Sequence, residues 1–455
     1  MTEDSQAVPP ARPPAAVSRR EALRFWLTLG FISFGGPAGQ IAIMHAELVE
    51  RRRWISEQRF LHALNFCMLL PGPEAQQLAT YIGWLMHRTW GGIVAGVLFV
   101  LPSLFILIAL SWIYLRFGDV PWVAGLFFGV KPAVTALVLH AAHRIGTRAL
   151  KNGWMWGLAG ASFVAIFAFD TPFPLIVLAA GLIGHLGARR WPQVFALGGG
   201  HGHARVSYGP ALIDDDTPTP AHARFSRRQL AKVLAVGPSL WLLAMSALVA
   251  TNGLQGTLTQ MAWFFTKAAL LTFGGAYAVL PYVYQGAVET HQWLSGPQMI
   301  DGLALGETTP GPLIMVVAFV GFVGGWLKQA LGPDALFLGG AVAATVVTFF
   351  TFLPSFIFIL AGGPVVEASH GKLAFTAPLS AITAAVVGVV LNLAMFFAYH
   401  VLWPQGFDGR FDALSAVIAV AATVALFRFK VGVLPLLGGC AAVGLVASWL
   451  ALLPR

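Results

Sequence analysis

One stretch occurs twice in this chain, with the same internal spacing both times. The first copy runs from Ser33 to Pro73: Phe34-Gly35-Gly36, a polar loop with Trp54 and Ser56, then Pro71-Gly72-Pro73. The second runs from Thr272 to Pro312: Phe273-Gly274-Gly275, a loop with Trp293 and Ser295, then Pro310-Gly311-Pro312. The offset is 239 at both ends (273 − 34 and 312 − 73), so the copies align without a gap, and Val49, Glu50 and Leu64 recur as well. The chain must therefore build two similar units, and duplication in an apolar chain points to a transporter made of two repeats.

The solvent for those units is set by composition. Soluble domains carry about 25% charged residues; this chain of 455 has 10%, against 57% hydrophobic. Apolar runs long enough to cross a bilayer recur along it. The expected class is an all-α polytopic membrane protein. The net charge of +9 does not argue for nucleic acid, because the basic residues sit in loops beside apolar segments, where they set topology. Two cysteines, Cys67 and Cys440, give neither a disulfide framework nor a thiolate metal site. Fifty glycines and 28 prolines suit close helix packing and broken helices.

Residues 1–18 read as a disordered tail with no signal-peptide core. The apolar segments 25–44 and 60–87 are each interrupted halfway, at Gly35-Gly36-Pro37 and at Pro71-Gly72-Pro73, where glycine frees the backbone and proline cannot donate to a helix ladder. Arg19, Arg20 and Arg24, the loop with Arg51, Arg52 and Arg53, and Arg88 all lie cytoplasmic if each segment enters and returns as two half-helices. Two ordinary spans are the alternative, and they place the first arginines on the wrong face. Ordinary spans are expected at 92–115, 121–142, 153–169 and 173–187.

The polar stretch 189–232 reads as a cytoplasmic linker; its His201 and His203 are expected to be bystanders rather than metal ligands. One further span, 233–251, inverts the second half of the chain. The loop of the second copy, 285–300, contains Glu289 and no Lys or Arg. A loop that is basic in one copy and lacks basic residues in the other belongs to opposite faces, which is the mark of inverted-topology repeats. The chain divides into a first repeat, 19–188, the linker, the inverting helix, and a second repeat, 252–455. A fainter echo, Leu101-Pro102-Ser103 against Leu353-Pro354-Ser355, recurs at an offset of 252 (353 − 101).

The breaks carry the sharpest chemical expectation. Proline is favoured in a first helical turn, so Pro73 and Pro312 are expected to begin half-helices. The free N–H groups and positive dipole end of such a helix make an anion site. Gly35, Gly36, Gly72, Gly274, Gly275 and Gly311 let a ligand approach the backbone, while Gln76, Gln77, Thr80, Thr308 and Thr309 add neutral donors. Glu74 and Glu307 flank the breaks as candidate proton-coupling groups; helix capping is the competing role for Glu74. Lys267 lies seven residues before Gly274, about two turns, and is read as a substrate contact, with snorkelling to the interface as the alternative. His45 and Arg59 border the cytoplasmic loop, where they either guide anions or face solvent. Neither a Walker A loop nor a metal-ligand spacing is present, so no cofactor and no metal is expected, and an enzyme is not indicated.

At these residues the chain resembles the chromate ion transporter family in its long, two-domain form. The resemblance rests on Phe34-Gly35-Gly36-Pro37, on Trp54-Ile55, on Leu69-Leu70-Pro71-Gly72-Pro73-Glu74-Ala75-Gln76-Gln77-Leu78-Ala79, and on Thr272-Phe273-Gly274-Gly275-Ala276-Tyr277 with Thr309-Pro310-Gly311-Pro312. It covers the chain from about Arg24 to the last span. It implies two homologous membrane domains of opposite orientation in the cell inner membrane, and export of chromate from the cytoplasm, coupled to the proton motive force and conferring resistance. The implied partners are chromate or a related oxyanion such as sulfate and the lipid bilayer, with a homodimer left open. A non-transporting membrane sensor or scaffold is the reading from another class.

Overall fold

The computed structural model describes residues 14–34, 36–118, 120–191, 208–273, 275–369 and 376–450. Gly35, Gly274, His201, His203 and most of the expected tail lie outside the described residues. The described chain is helical, with no strand beyond a single bridge between Ile55 and Ile213. Six helices are long and apolar enough to cross a membrane, and four shorter apolar segments accompany them. The protein is an all-α, multi-pass membrane protein.

The first repeat opens with two hairpins. Helix α1 (Arg19–Ile32) is capped by Ser18, whose hydroxyl accepts from Glu21 N–H at 3.2 Å. It stops at Ser33, and α2 (Gly36–His45) runs on through a π-helical turn to Arg51. This pair folds back on itself. At one end Trp54 packs on Phe25, ring centroids 4.9 Å apart, with the Arg52 guanidinium over both rings. The second hairpin starts where Ser56 caps α3 (Glu57–Leu69), breaks at 70–73, and returns in α4 (Glu74–Phe117). α4 is two helices joined at His87 and Arg88, where Arg88 has φ 57°. His87 bonds the Val17 carbonyl at 2.9 Å, so the second hairpin ends on the face where the first began. Beyond the joint α4 crosses fully. Three helices complete the repeat: α5 (Pro121–Ala149), α6 (Gly153–Phe169) and α7 (Phe173–Arg190).

The linker is less detached than its polarity implied. Ile213 N–H donates to the Trp54 carbonyl, Ser56 N–H donates to the Ile213 carbonyl, and Ser56 Oγ bonds Asp215, so 211–217 lies against the basic loop. Helix α8 (Arg227–Asn252) then packs peripherally, its Trp241 bonding Thr266 at 2.9 Å.

The second repeat repeats the hairpins. α9 (Thr257–Leu270) breaks at 271–275, and α10 (Ala276–Tyr284) ends in another π-helical turn, Gln285–Thr290. Ser295 caps α11 (Gly296–Thr308) in a capping box with Gln298. After the break comes a 3₁₀ turn, Leu313–Met315, and then α12 (Val316–Leu327). Trp293 packs on Phe264 and Phe265, and Gly324 lies against Trp293 and Met261, so both hairpins return to one face. The crossing helix is α13 (Leu336–Ser369), followed by α14 (Thr376–Leu402), α15 (Ala413–Phe427) and α16 (Val433–Trp449).

The two crossing helices run side by side in opposite directions. Trp112 of α4 meets Phe337 of α13 and Gly96 meets Phe356, while Trp84, before the joint, meets Gly363. Those contacts span 26 residues of α13 (363 − 337), about 39 Å at 1.5 Å per residue, enough to traverse the hydrocarbon core. Glycines allow the remaining close packing: the Gly129 backbone of α5 lies against Cys440 and Gly444 of α16, and Gly388 of α14 against Ala159 of α6.

Candidate functional site

The four hairpin tips meet at the centre, and they meet crosswise. Gly72 N–H donates to the Thr272 carbonyl at 2.8 Å, and Gly311 N–H donates to the Ser33 carbonyl, also at 2.8 Å. Each Pro-Gly-Pro break is thus tied to the residue that precedes Phe-Gly-Gly in the other repeat. Under the 239-residue offset Ser33 is equivalent to Thr272 and Gly72 to Gly311, so the two bonds are one contact made twice. Both glycines have positive φ, 125° and 101°, which a side chain adopts only with strain. A Cβ on Gly72 would sit 2.4 Å from Ser355 Oγ, and one on Gly311 2.8 Å from Ser103 Cβ. The Leu-Pro-Ser echo is explained here: each serine closes on the other repeat's break.

Polar groups gather around this crossing. Gln76 Nε2 donates to Thr80 Oγ1 at 3.0 Å, Gln77 Nε2 to the Pro71 carbonyl at 2.7 Å, and Gln40 Nε2 to the Gly311 carbonyl. The Oε1 atoms of all three, with Ser33 Oγ and Ser103 Oγ, are buried without a protein partner. Buried polar atoms in hydrocarbon need partners, so this cluster is suited to water or a polar ligand. Glu74, the first residue of α4, reaches toward Gly275, its oxygens 3.7 and 3.9 Å from where a Cβ would stand. Glu307 accepts from the Tyr277 hydroxyl. Both carboxylates therefore converge on Gly275–Tyr277. Arg144 of α5 acts electrostatically on Glu74, Glu307 and Tyr277 alike, and Arg148, one turn on, acts on Glu74.

The expected site residues fall into three groups. Gly72, Pro73, Glu74, Gln76, Gln77, Gly275, Glu307, Thr309, Gly311 and Pro312 are buried around the crossing, with Gly36 and Thr308 half-buried beside it. The N–H groups of Gly72 and Gly311 are committed to the other repeat, and the Thr308 and Thr309 hydroxyls donate to Leu305 and Gly306 carbonyls, so none of these donors points at a ligand. The two helix starts also differ: Glu74, Gln76 and Gln77 in the first repeat face Leu313, Met315 and Val316 in the second. Lys267 stands apart. It is exposed on the outer side of α9, its ammonium 5.8 Å from the Trp263 ring centre. Because α9 ends at Leu270, the seven-residue spacing to the glycine pair does not run along one helix face. His45 is held by Glu50 and Glu57, and Arg59 by Glu367 and the Thr217 carbonyl.

The sequence reading missed Arg144, Gln40, Ser103 and Lys131. Lys131 had a signal: it is an isolated lysine inside the apolar run 121–142, the same criterion that drew attention to Lys267. Arg144 had only the look of a topology arginine.

Comparison with known proteins bears on this arrangement. The sequence model of one family, described as "Chromate transporter", matches residues 20–185 and 259–445. The chain is 28% identical over 436 residues to a chromate transport protein of Cupriavidus metallidurans, covering 94% of this chain and 93% of that one. It is 34% identical over 390 residues to a chromate transport protein of Pseudomonas aeruginosa, covering 85% and 81%. An uncharacterized transporter of Bacillus subtilis is 31% identical over 158 residues, which cover 34% of this chain but 89% of that protein. No solved structure matches.

Proposed function

The chain belongs to the chromate transporter family, and from that premise we propose that it is a secondary transporter exporting chromate from the cytoplasm through the crossed hairpin tips. The observation that carries this reading is the reciprocal pair of bonds, Gly72 to Thr272 and Gly311 to Ser33, beside two buried carboxylates. A transport site made where interrupted helices meet at the repeat interface recurs in many secondary transporters.

The chemistry assigns roles. Arg144 supplies the full positive charge that attracts a tetrahedral dianion, and the Ser33 and Ser103 hydroxyls donate to its oxygens. Glu74 and Glu307 repel a dianion when ionised, so binding favours their protonated forms, and with those protons kept through the cycle the anion crosses with its full charge. The membrane potential assists export: one charge through 100 mV is worth about 2.3 kcal/mol, hence about 4.6 kcal/mol for a dianion leaving a negative interior.

The inverted relation of the repeats belongs to the same proposal. The antiparallel course of α4 and α13, which carry the same Leu-Pro-Ser sequence, supports it, as does the basic loop in one copy against the loop without Lys or Arg in the other. The basic face is then cytoplasmic and the membrane is the cell inner membrane. Sulfate is the second substrate reading, since it shares chromate's shape and charge. The test is chromate accumulation in inside-out vesicles. An inside-positive potential should drive it, and excess sulfate should compete only if the site reads shape and charge alone. Vesicles that hold the protein yet accumulate neither anion would leave the sensor or scaffold reading.

A further inference from the structure

Six ion pairs occur among the described residues. Four are local to residues 45–57, and the other two join the repeats. Arg59 Nη1 lies 3.2 Å from Glu367 Oε2, and Lys131 Nζ lies 3.3 Å from Asp301 Oδ2. Each carboxylate also accepts from one tyrosine hydroxyl: Glu367 from Tyr81, and Asp301 from Tyr114 at 2.9 Å. Both assemblies thus take their cation and tyrosine from the first repeat and their carboxylate from the second. Both acids are nearly closed off, with side-chain exposures of 8% and 4%. The positions are not equivalent under the repeat offsets, so the likeness is of chemistry and place.

Their places are opposite. Glu367 sits at the end of α13 that meets Trp84 and the basic-loop face, where Arg59 begins α3. Tyr114 sits at the far end of α4, beside the Phe337 end of α13, and Asp301 lies in the first half of α11. One assembly therefore joins the repeats at each mouth of the crossing. On the Asp301 side a cavity of about 510 Å³ opens, lined by Lys131, Asp301, Tyr114, His400 and Asp412. Asp301 Oδ1 is buried there without a hydrogen-bond partner. On the other side Arg59 is additionally tied to the Thr217 carbonyl of the linker.

We infer that these two assemblies are the gates of the transporter, each a cation that waits on a carboxylate of the other repeat and is drawn off it by an arriving tetrahedral oxyanion. The inference rests on the transport reading above. A buried ion pair that loses one partner leaves an uncompensated charge, so the pair is a two-state device: closed with cation on carboxylate, open with cation on the anion. Lys131, one-third exposed in the cavity, is the capture residue on one side and Arg59 on the other. Opening both at once would leak, and the packed pair of α4 beyond its joint and α13, which carry Tyr114 of one gate and Glu367 of the other, ties one to the other.

The test uses the full chain in native membranes with Thr308→Cys, half-buried beside the crossing, as reporter for a membrane-impermeant maleimide; Cys67 and Cys440 are both buried. Asp301→Asn should raise labelling from the face of residues 291–296 by about tenfold and lower it from the other, and Glu367→Gln should do the reverse. Tyr114→Phe and Tyr81→Phe should shift labelling with the same signs and smaller size, and they answer for a carboxylate variant that fails to insert. Shifts of the same sign for both gates, or labelling unchanged in all four variants, would overturn the inference. Labelling does not depend on the transported anion, so the expected shifts without chromate movement would uphold the gates and reject the substrate.

Discussion

Glu74 and Glu307 are the residues that ask most of the protein. Each is buried at the centre of a membrane-embedded assembly, where an ionised carboxylate is costly. Glu307 has a tyrosine hydroxyl, Glu74 faces a glycine, and both feel Arg144. Arg144→Ala is expected to cut transport at least about tenfold, a loss of roughly 1.4 kcal/mol in transition-state stabilisation, with insertion unchanged. Lys267→Ala is expected to transport at close to the wild-type rate, because Lys267 stands on the outer surface against Trp263. Initial rates of chromate uptake, normalised to inserted protein, check both, and a reversed pattern would restore Lys267 as the cationic contact. Lys267 drew attention because a lysine in an apolar run is a strong signal, but the signal says nothing about which way the side chain faces. The direction follows from the packing of α9, which buries Phe264, Phe265, Ala268 and Ala269 and leaves Trp263 and Lys267 on the outside.

At the scale of elements, most of the hairpin architecture was legible. Gly-Gly-Pro and Pro-Gly-Pro inside apolar runs marked the breaks, and Ser56 and Ser295 marked the helices between them. The arginine pattern favoured hairpins that enter and return, and the packing of Trp54 on Phe25 fits that course. What sequence could not show was the crosswise pairing of the tips, since a hydrogen bond between Gly72 and Thr272 leaves no local trace. It also could not show that the second half-helix begins as a 3₁₀ turn of apolar residues, Leu313–Met315. Cysteines placed singly at Arg52 and His291 should react with an impermeant reagent from opposite sides of the membrane. Reaction from one side only would contradict the inverted arrangement of the hairpins.

For the whole molecule, the two repeats are not interchangeable halves. Duplication supplied matching tips and matching crossing helices, and divergence then made only the first repeat's helix start polar, Glu74, Gln76 and Gln77 standing where the second repeat has Leu313, Met315 and Val316. The tips still depend on each other equally, which is the central claim. The measurement that tests it is chromate uptake into inside-out vesicles by Gly72→Val and Gly311→Val. In either variant a side chain meets a serine of the opposite repeat and a positive φ, an overpacking cost of about 1–3 kcal/mol before the backbone strain. Each single variant, inserted at the wild-type level, is expected to lose transport by about tenfold or more. Wild-type uptake in either one would contradict it.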